Sequence, residues 1–221
     1  MVKTVVILGA SRGLGLGLVS EFLSRSWQVT ATERARSEAL HATGATVETA
    51  DVADHASVDA LARRLAGQAF DLIFIVAGQW GPRHQSPLQA SFEESAALFV
   101  ANAIGPVAAA QRLAGTVAVN GTIALMTSGL GSIANSSGGS LLYSGTKAAL
   151  NMMAKGFALS PEAKGRTVLV VDPGWVQTDM GGAGAPLTVE RSVRGMADTL
   201  LARAGTGNFA FVRHDGHEVP W

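Results

Sequence analysis

Thr4-Val5-Val6-Ile7-Leu8-Gly9-Ala10-Ser11-Arg12-Gly13-Leu14-Gly15 is a short apolar, β-branched run that breaks into a glycine-rich turn, and a helical pattern follows through about Ser26. Strand, glycine turn and helix in that order is the context in which such a loop carries meaning. A helix N-terminus presents unpaired N–H groups and the positive end of a dipole, and glycines let the backbone approach a phosphate. Gly9, Ser11, Arg12, Gly13, Leu14 and Gly15 are therefore a candidate cradle for the pyrophosphate of a dinucleotide. The spacing is Gly-x-x-x-Gly-x-Gly, not Gly-x-Gly-x-x-Gly. On its own the trio also fits a tight turn, so its meaning depends on the rest of the chain.

The same alternation continues. Strands are predicted at Gln28 to Thr32, Ala45 to Ala50, Asp71 to Val76, Gly121 to Met126, Thr167 to Val171 and Asn208 to Val212. Helices are predicted from about His55 to Ala66, from Ser91 past Asn102 to about Val119 with a bend near Gly105-Pro106, from about Tyr143, and from about Val189 to Ala204. This rhythm predicts an α/β fold: a Rossmann-type doubly wound parallel sheet of about seven strands, order 3-2-1-4-5-6-7, with helices on both faces. Residues 1–221 read as one domain without repeat or linker. Ligands of such sheets bind outside the carboxyl ends of the strands, where every marked residue falls.

After the second strand stand Glu33 and Arg34. An acidic residue there accepts from the ribose hydroxyls of NAD, whereas Arg34 with Arg12 suits the 2′-phosphate of NADP; a surface ion pair also accounts for Arg34. Asp51, followed by Val52, is placed to hold an adenine amino group or simply to begin the next turn. Ala77-Gly78 leave room for a cofactor. The loop from Gln79 to Ala90 contains Trp80, Arg83 and His84, and loops of that length are often functional; His84 reads as a solvated loop histidine. The glycines at 181, 182 and 184 suggest a mobile flap.

Tyr143 and Lys147 stand four apart at the start of a helix, hence on one face. An ammonium beside a phenol favours the phenolate, so the lysine is expected to pull the tyrosine down from about 10. The pair also occurs on helices by chance, but this is the only tyrosine in 221 residues.

Composition narrows the function classes. Hydrophobic residues are 48% and charged residues 15%, which points to a large buried core. The 17 basic and 17 acidic residues cancel without runs of like charge, so no nucleic-acid or membrane partner is expected. Without cysteine there are no disulfides or thiolate metal sites, and no metal site is expected. The first apolar run is too short for a signal-peptide core, and no stretch approaches the roughly 18 apolar residues of a membrane span. A cytoplasmic protein is the expectation.

Taken together, Gly9, Gly13 and Gly15, Asp51-Val52, Ala77-Gly78, Asn102, Ser128, Tyr143 with Lys147, Asp172-Pro173-Gly174 and the Pro-Trp ending closely resemble the short-chain dehydrogenase/reductase family over essentially the whole chain. The likeness is greatest to its small carbonyl-reductase-like branch, which includes the C-factor-type proteins. The resemblance implies an oxidoreductase that moves hydride between NAD(P)H and a carbonyl or secondary alcohol, with NADP(H) slightly favoured over NAD(H). It implies Tyr143 as proton donor and acceptor, Ser128 hydrogen-bonding the substrate oxygen, Lys147 lowering the tyrosine pKa and holding the nicotinamide ribose, and Asn102 supporting a water chain. Pro173, Gly174, Val176 and Thr178 would position the nicotinamide, and Asp51 and Val52 the adenine. Met126, Leu130, Trp175, Met180 and Trp80 are candidate walls for an apolar or aromatic substrate. The C-factor likeness also leaves a second reading open, a dinucleotide-binding signalling protein whose catalysis is incidental. Many relatives pair through the helices beginning near Ser91 and Tyr143 while others of this branch are monomers, so homo-oligomer formation stays open.

Three departures stand out. Leu8 occupies a position that is usually threonine, Ile75-Val76 stand where two asparagines are usual, and Ser128 precedes Tyr143 by fifteen residues where thirteen is common. Ser132, eleven before, is the rival to Ser128, which sits directly after a strand; a longer loop absorbs two residues at little cost.

Overall fold

The computed structural model describes residues 2–221. Its strands are β1 Thr4–Leu8, β2 Gln28–Glu33, β3 Thr46–Thr49, β4 Phe70–Ile75, β5 Val117–Met126, β6 Thr167–Asp172 and β7 Phe209–Arg213. They form one sheet in the order β3-β2-β1-β4-β5-β6-β7, the order expected from the sequence, and all neighbours pair in parallel. The helices are α1 Gly13–Ser24, α2 Glu38–His41, α3 His55–Arg64, α4 Phe92–Phe99, α5 Gly105–Leu113, α6 Leu141–Ala158 and α7 Val189–Arg203.

Alternation along each strand sends successive side chains to opposite faces. Leu8, Ile73, Ile75, Ile123, Leu125 and Val170 join a core with residues of α3, α5 and α6. Their neighbours Ile7, Leu72, Phe74, Ala124 and Val171 join the other core, with Leu18 and Phe22 of α1 and Met196 and Leu200 of α7. A strand covered on both faces must be apolar throughout, and burial of each large side chain contributes about 1.5–3 kcal/mol. The family-atypical Leu8 and Ile75 belong to this packing, both fully buried in one core. The backbone supplies the polar bracing: Val76 N–H and Ala77 N–H both donate to the Leu8 carbonyl, at 2.9 and 3.1 Å.

Element ends differ from expectation where backbone geometry intervenes. The long helix is interrupted just before Gly105-Pro106, where α4 passes into α5 through a π turn over Val100–Ile104. Pro106 lies at the start of α5, where its missing N–H costs least. Gly105 permits close packing there, for a Cβ on it would lie 2.3 Å from the Val52 carbonyl oxygen. β5 begins at Val117, inside the expected helix, because left-handed Asn120 (φ 67°) and the neighbouring Gly121 let the strand restart after a register shift between Phe70 and Leu72. The short α2, capped by the Ser37 hydroxyl, has no apolar period to announce it.

One expectation about membranes needs correction. The continuous helix Phe92–Thr116, with a mean hydropathy of 1.2, is long and apolar enough to cross a bilayer. Half of its apolar window is buried in the fold, and α5 supplies Val107, Ala110 and Leu113 to the core. That burial accounts for its composition.

Gly105→Ala is expected to cost about 1–3 kcal/mol, because the added methyl meets backbone rather than a movable side chain. Urea unfolding should show a lower midpoint at an unchanged slope; an unchanged midpoint would mean that the Val52 strap moves aside freely.

Candidate active site

A cleft of about 590 Å³ opens at the carboxyl edge of the sheet, on either side of β1 and β4, where the strand order reverses. Gly9 (φ 88°) turns the chain out of β1 so close to Ala77 that a Cβ would lie 2.8 Å from its backbone; a Cβ on Gly15 would lie 2.1 Å from the Gly9 carbonyl oxygen. The turn is tied across to β2 by Gly9 N–H donating to Thr32 Oγ1 at 3.1 Å. Helix α1 starts at Gly13, and its N-cap residue Arg12 supplies no side-chain cap. Gly9, Ser11, Arg12, Gly13, Leu14 and Gly15 all line the cleft, so the first turn of α1 presents its uncapped end to it, as an anion cradle requires.

At the adenosine end the structure separates the two signals that stood side by side in the sequence. Arg34, Asp51 and Val52 line the cleft; Glu33 does not. Its carboxylate is turned beneath the loop, accepting from Ser37 N–H at 2.6 Å and pairing with His41 Nε2 at 2.8 Å. Burial pushes its pKa up, but the hydrogen bonds from His41 and Ser37 outweigh that and hold it below the usual carboxylate value. The expected ribose contact is thus replaced by capping of α2. Arg34 faces Asp51 at 3.8 Å, and Arg12 meets Asp179 at 2.9 Å, both arginines 78% exposed. Ion pairs that open are worth about 0–1 kcal/mol, so both guanidiniums are free to turn to a phosphate. Asp51 also does the blander job, accepting Ala53 N–H at 2.9 Å to begin the turn into α3.

At the other end stand Tyr143 and Lys147, both lining the cleft and both buried. Lys147 Nζ donates to the Met126 carbonyl at 2.9 Å and lies 5.6 Å from the centre of the Tyr143 ring. The expected downward pull on the phenol is not what the structure holds. Burial raises Tyr143 to about 12, the Asp172 carboxylate adds to that, and only the hydrogen bond with Ser128 opposes it. Lys147 is itself lowered to about 8 by burial. Desolvation outweighs the mutual effect of the pair because the ammonium is aimed at a backbone carbonyl.

The rival serines are separated by their partners. Ser132 is buried and donates to the Pro220 carbonyl at 2.6 Å while accepting Asn135 N–H, so it is committed to holding the tail. Ser128, half-buried just past the end of β5, caps the turn after it through Leu130 N–H and lies close enough to Tyr143 to lower its pKa. Asn102, fully buried in the π turn, spends its whole side chain on bracing: it accepts Gln79 N–H at 2.8 Å and donates to Gln79 O and Thr146 Oγ1. Ala77, Gly78, Pro173 and Thr178 line the cleft, whereas Gly174 and Val176 lie behind it. Gly174 packs on Leu187 and His214, and Val176 forms a bridge with Leu187. The supposed flap is a tied turn: Trp175 Nε1 donates to Gly181 O, Gly181 N–H to Thr178 Oγ1, and Gln177 to Ala185 O. Gly181 is there for closeness, since a Cβ would lie 2.0 Å from the Val176 carbonyl oxygen.

Two residues of the site carried no signal in the sequence reading. Asp172 was noted only as the first residue of the Asp-Pro-Gly turn; it is buried, accepts Gly174 N–H at 3.1 Å, and its field reaches Tyr143. Gln85, unremarkable in a polar loop, contacts the first turn of α6 through Tyr143 N–H. Among the described residues no cluster of His, Cys, Asp or Glu is arranged to hold a metal ion.

Residues 3–185 match the family model described as short chain dehydrogenase, and the chain belongs to that family of oxidoreductases. It is 35% identical to the C-signal protein of Myxococcus xanthus over 133 residues, 59% of this chain and 80% of that protein. Among solved structures, a short-chain dehydrogenase/reductase of Burkholderia multivorans with bound NADP superposes with a TM-score of 0.96 at 37% identity, covering 100% of both chains. A carbonyl reductase of Pseudomonas aeruginosa in complex with NADP superposes with a TM-score of 0.92 at 34% identity, again over 100% of both.

The buried lysine makes stability depend on pH. Folded Lys147 gives up its proton near about 8 against 10.5 in the open chain. Between those values the unfolded state binds the extra proton, so stability rises with pH, and below them the buried charge costs about 3 kcal/mol. Tyr143, at about 12 against 10.0, acts oppositely and later, its contribution being lost from about 10 upward. The urea midpoint of the wild type should therefore rise between about pH 8 and pH 10 relative to that of Lys147→Met. Parallel curves for the two proteins would show that Lys147 titrates normally.

Proposed function

We propose that this protein is an NADP(H)-preferring carbonyl reductase, interconverting a carbonyl compound and its secondary alcohol with Tyr143 as acid and base. The observation that carries the reading is the meeting of Tyr143 and Lys147, with Ser128 beside Tyr143 just behind the lining, at the end of a cleft whose other end is an uncapped, glycine-lined helix N-terminus. The dinucleotide supplies the hydride. The chain's own groups handle charge and proton. As negative charge grows on the carbonyl oxygen, Ser128 donates a hydrogen bond to it and Tyr143 delivers a proton. A phenol near 12 is fully protonated at neutral pH yet more acidic than the alcohol being formed, so it can give its proton to the alkoxide-like oxygen, which suits the reductive direction. Lys147, mostly charged at pH 7, holds the ribose, and Asn102 supports a proton path to solvent. Pro173 and Thr178 position the nicotinamide ring, Asp51 and Val52 the adenine. Arg12 and Arg34, with Glu33 turned away, support the preference for the 2′-phosphate.

Substrate class follows from the walls. Of the candidate walls, Met126 and Met180 line the cleft and Trp80 stacks on its Tyr143 with ring centres 4.7 Å apart, whereas Leu130 and Trp175 are exposed but outside the lining. Apolar surface left open beside a polar reacting group suits an apolar or aromatic carbonyl compound. The likeness to C-signal favours a second reading, in which the dinucleotide is bound for signalling and turnover is incidental.

A panel of carbonyl compounds assayed with NADPH and NADH in parallel separates the two: oxidation of NADPH across aryl ketones or aldehydes is expected, and none with either cofactor would favour the signalling reading. Tyr143→Phe is expected to keep cofactor affinity and lose about 10²–10⁴-fold in turnover; turnover near wild type would remove Tyr143 from its role. Arg34→Ala should lower the preference for NADPH over NADH by about tenfold, as expected for one charge-assisted contact, and Glu33→Ala should leave it unchanged. The reverse pattern would restore Glu33 to the ribose site.

A further inference from the structure

Helix α6 begins without a cap of its own. Ser140, at its N-cap, is left-handed (φ 50°) and its side chain caps nothing, although the candidate acid/base Tyr143 lies in the first turn. The cap comes from the loop after β4. Gln85 Oε1 accepts Tyr143 N–H at 2.8 Å, and the Gln85 backbone carbonyl accepts Leu142 N–H at 3.4 Å. The same side chain donates through Nε2 to the carbonyls of Trp80 at 2.9 Å and Pro82 at 2.8 Å. Both amide hydrogens are thereby used, and the oxygen as well. Gln85 is only 9% exposed and itself left-handed (φ 47°), an unusual conformation for a residue with a side chain.

The loop it closes carries Trp80, whose indole lies against the Tyr143 ring, 4.7 Å between centres and 29° between planes. At its front the loop is held by the Asn102 bonds to Gln79 and by Gly81 packed against Leu98. At its back it is held to α6 by Gln85. One buried amide therefore joins the backbone that carries the phenol to the backbone that carries the ring covering it.

We propose that Gln85 is a positioning residue that fixes Tyr143 and Trp80 as one unit, and that the rigid indole wall so formed selects flat, conjugated carbonyl compounds over branched ones. This rests on the reading of Tyr143 as the proton donor. The indole covers one face of the Tyr143 ring, and a wall held by three side-chain hydrogen bonds does not yield to a bulky neighbour. Removing the amide leaves one N–H and two carbonyls without their partner, and the loop is then free to move away from the ring. The hydrogen-bond partners of Gln85, namely Trp80, Pro82, Leu142 and Tyr143, lie away from the pyrophosphate and adenine end, so cofactor affinity is not part of its role.

The test takes the full chain as Gln85→Leu, with Gln85→Asn as a shorter amide that cannot span the same partners and serves if the first does not fold. Residue-level hydrogen exchange, which needs no substrate, should show the Leu142 and Tyr143 amides exchanging about tenfold faster or more, while the β-sheet amides stay unchanged. Equal exchange in wild type and variant overturns the coupling. In kinetics with NADPH, an aryl alkyl ketone and a branched aliphatic ketone of similar size are compared. Gln85→Leu should lose about tenfold in kcat/KM on the aryl ketone, within what misplacement of a reacting group costs, and less on the branched one. Trp80→Ala should reproduce the loss of discrimination and add little on top of Gln85→Leu. Equal losses on both ketones, or independent effects of the two substitutions, overturn the proposal. If the wild type reduces neither ketone, it is the carbonyl-reductase reading that fails, and the exchange experiment alone decides whether Gln85 couples loop and helix.

Discussion

Gly9 and Ala77 pass each other with no space for a side chain between them, and the site depends on that approach. It occurs where β1 and β4 lie side by side and their connections leave in opposite directions across the sheet. A parallel sheet delivers every strand end to one edge, but only at such a reversal do the loops part and leave a groove. Were either loop wider, the start of α1 would be pushed off the groove floor and Lys147, whose ammonium lies near Gly78, would lose its neighbours. The apolar strand ends Leu8 and Ile75 keep the two backbones in register from below, and Thr32 ties the turn from the side.

The two ends of the groove differ in their electrostatics. At the adenosine end the charges are exposed, paired weakly and close to solvent, so they bind by being available. At the reacting end a lysine, a phenol and a carboxylate share a buried corner. There desolvation shifts the lysine down and the phenol up. Lys147 and Asp172 are held by backbone, at the Met126 carbonyl and Gly174 N–H, and Tyr143 by the Gln85 side-chain amide at its own N–H. Rigid partners of this kind preserve a geometry at the expense of tolerance to substitution.

Strand order, sheet edge and most of the groove lining were legible in the sequence because they follow from periodicity and from where glycines, small residues and charges fall after strands. What escaped has a common physical origin. Glu33 and Arg34 are adjacent, and only the capping of a four-residue helix decides that the first turns inward. Ser128 and Ser132 are equally plausible by spacing, and a contact with Pro220, far along the chain, removes one of them. The direction of the Tyr143 shift reversed because burial cannot be read from a four-residue interval. Among the glycines after Pro173, Gly181 looked like freedom and turned out to be close packing, while Gly182 and Gly184 do have open space around them. Gln85 lacked any local signal, since its partners lie on a helix reached only through the fold.

The chain holds one tyrosine, and that residue is both the group assigned the proton and the neighbour stacked against Trp80. Its phenolate absorption in the folded protein is therefore uncontaminated by any other phenol, and a spectrophotometric titration reads a single ionisation without isotope labelling.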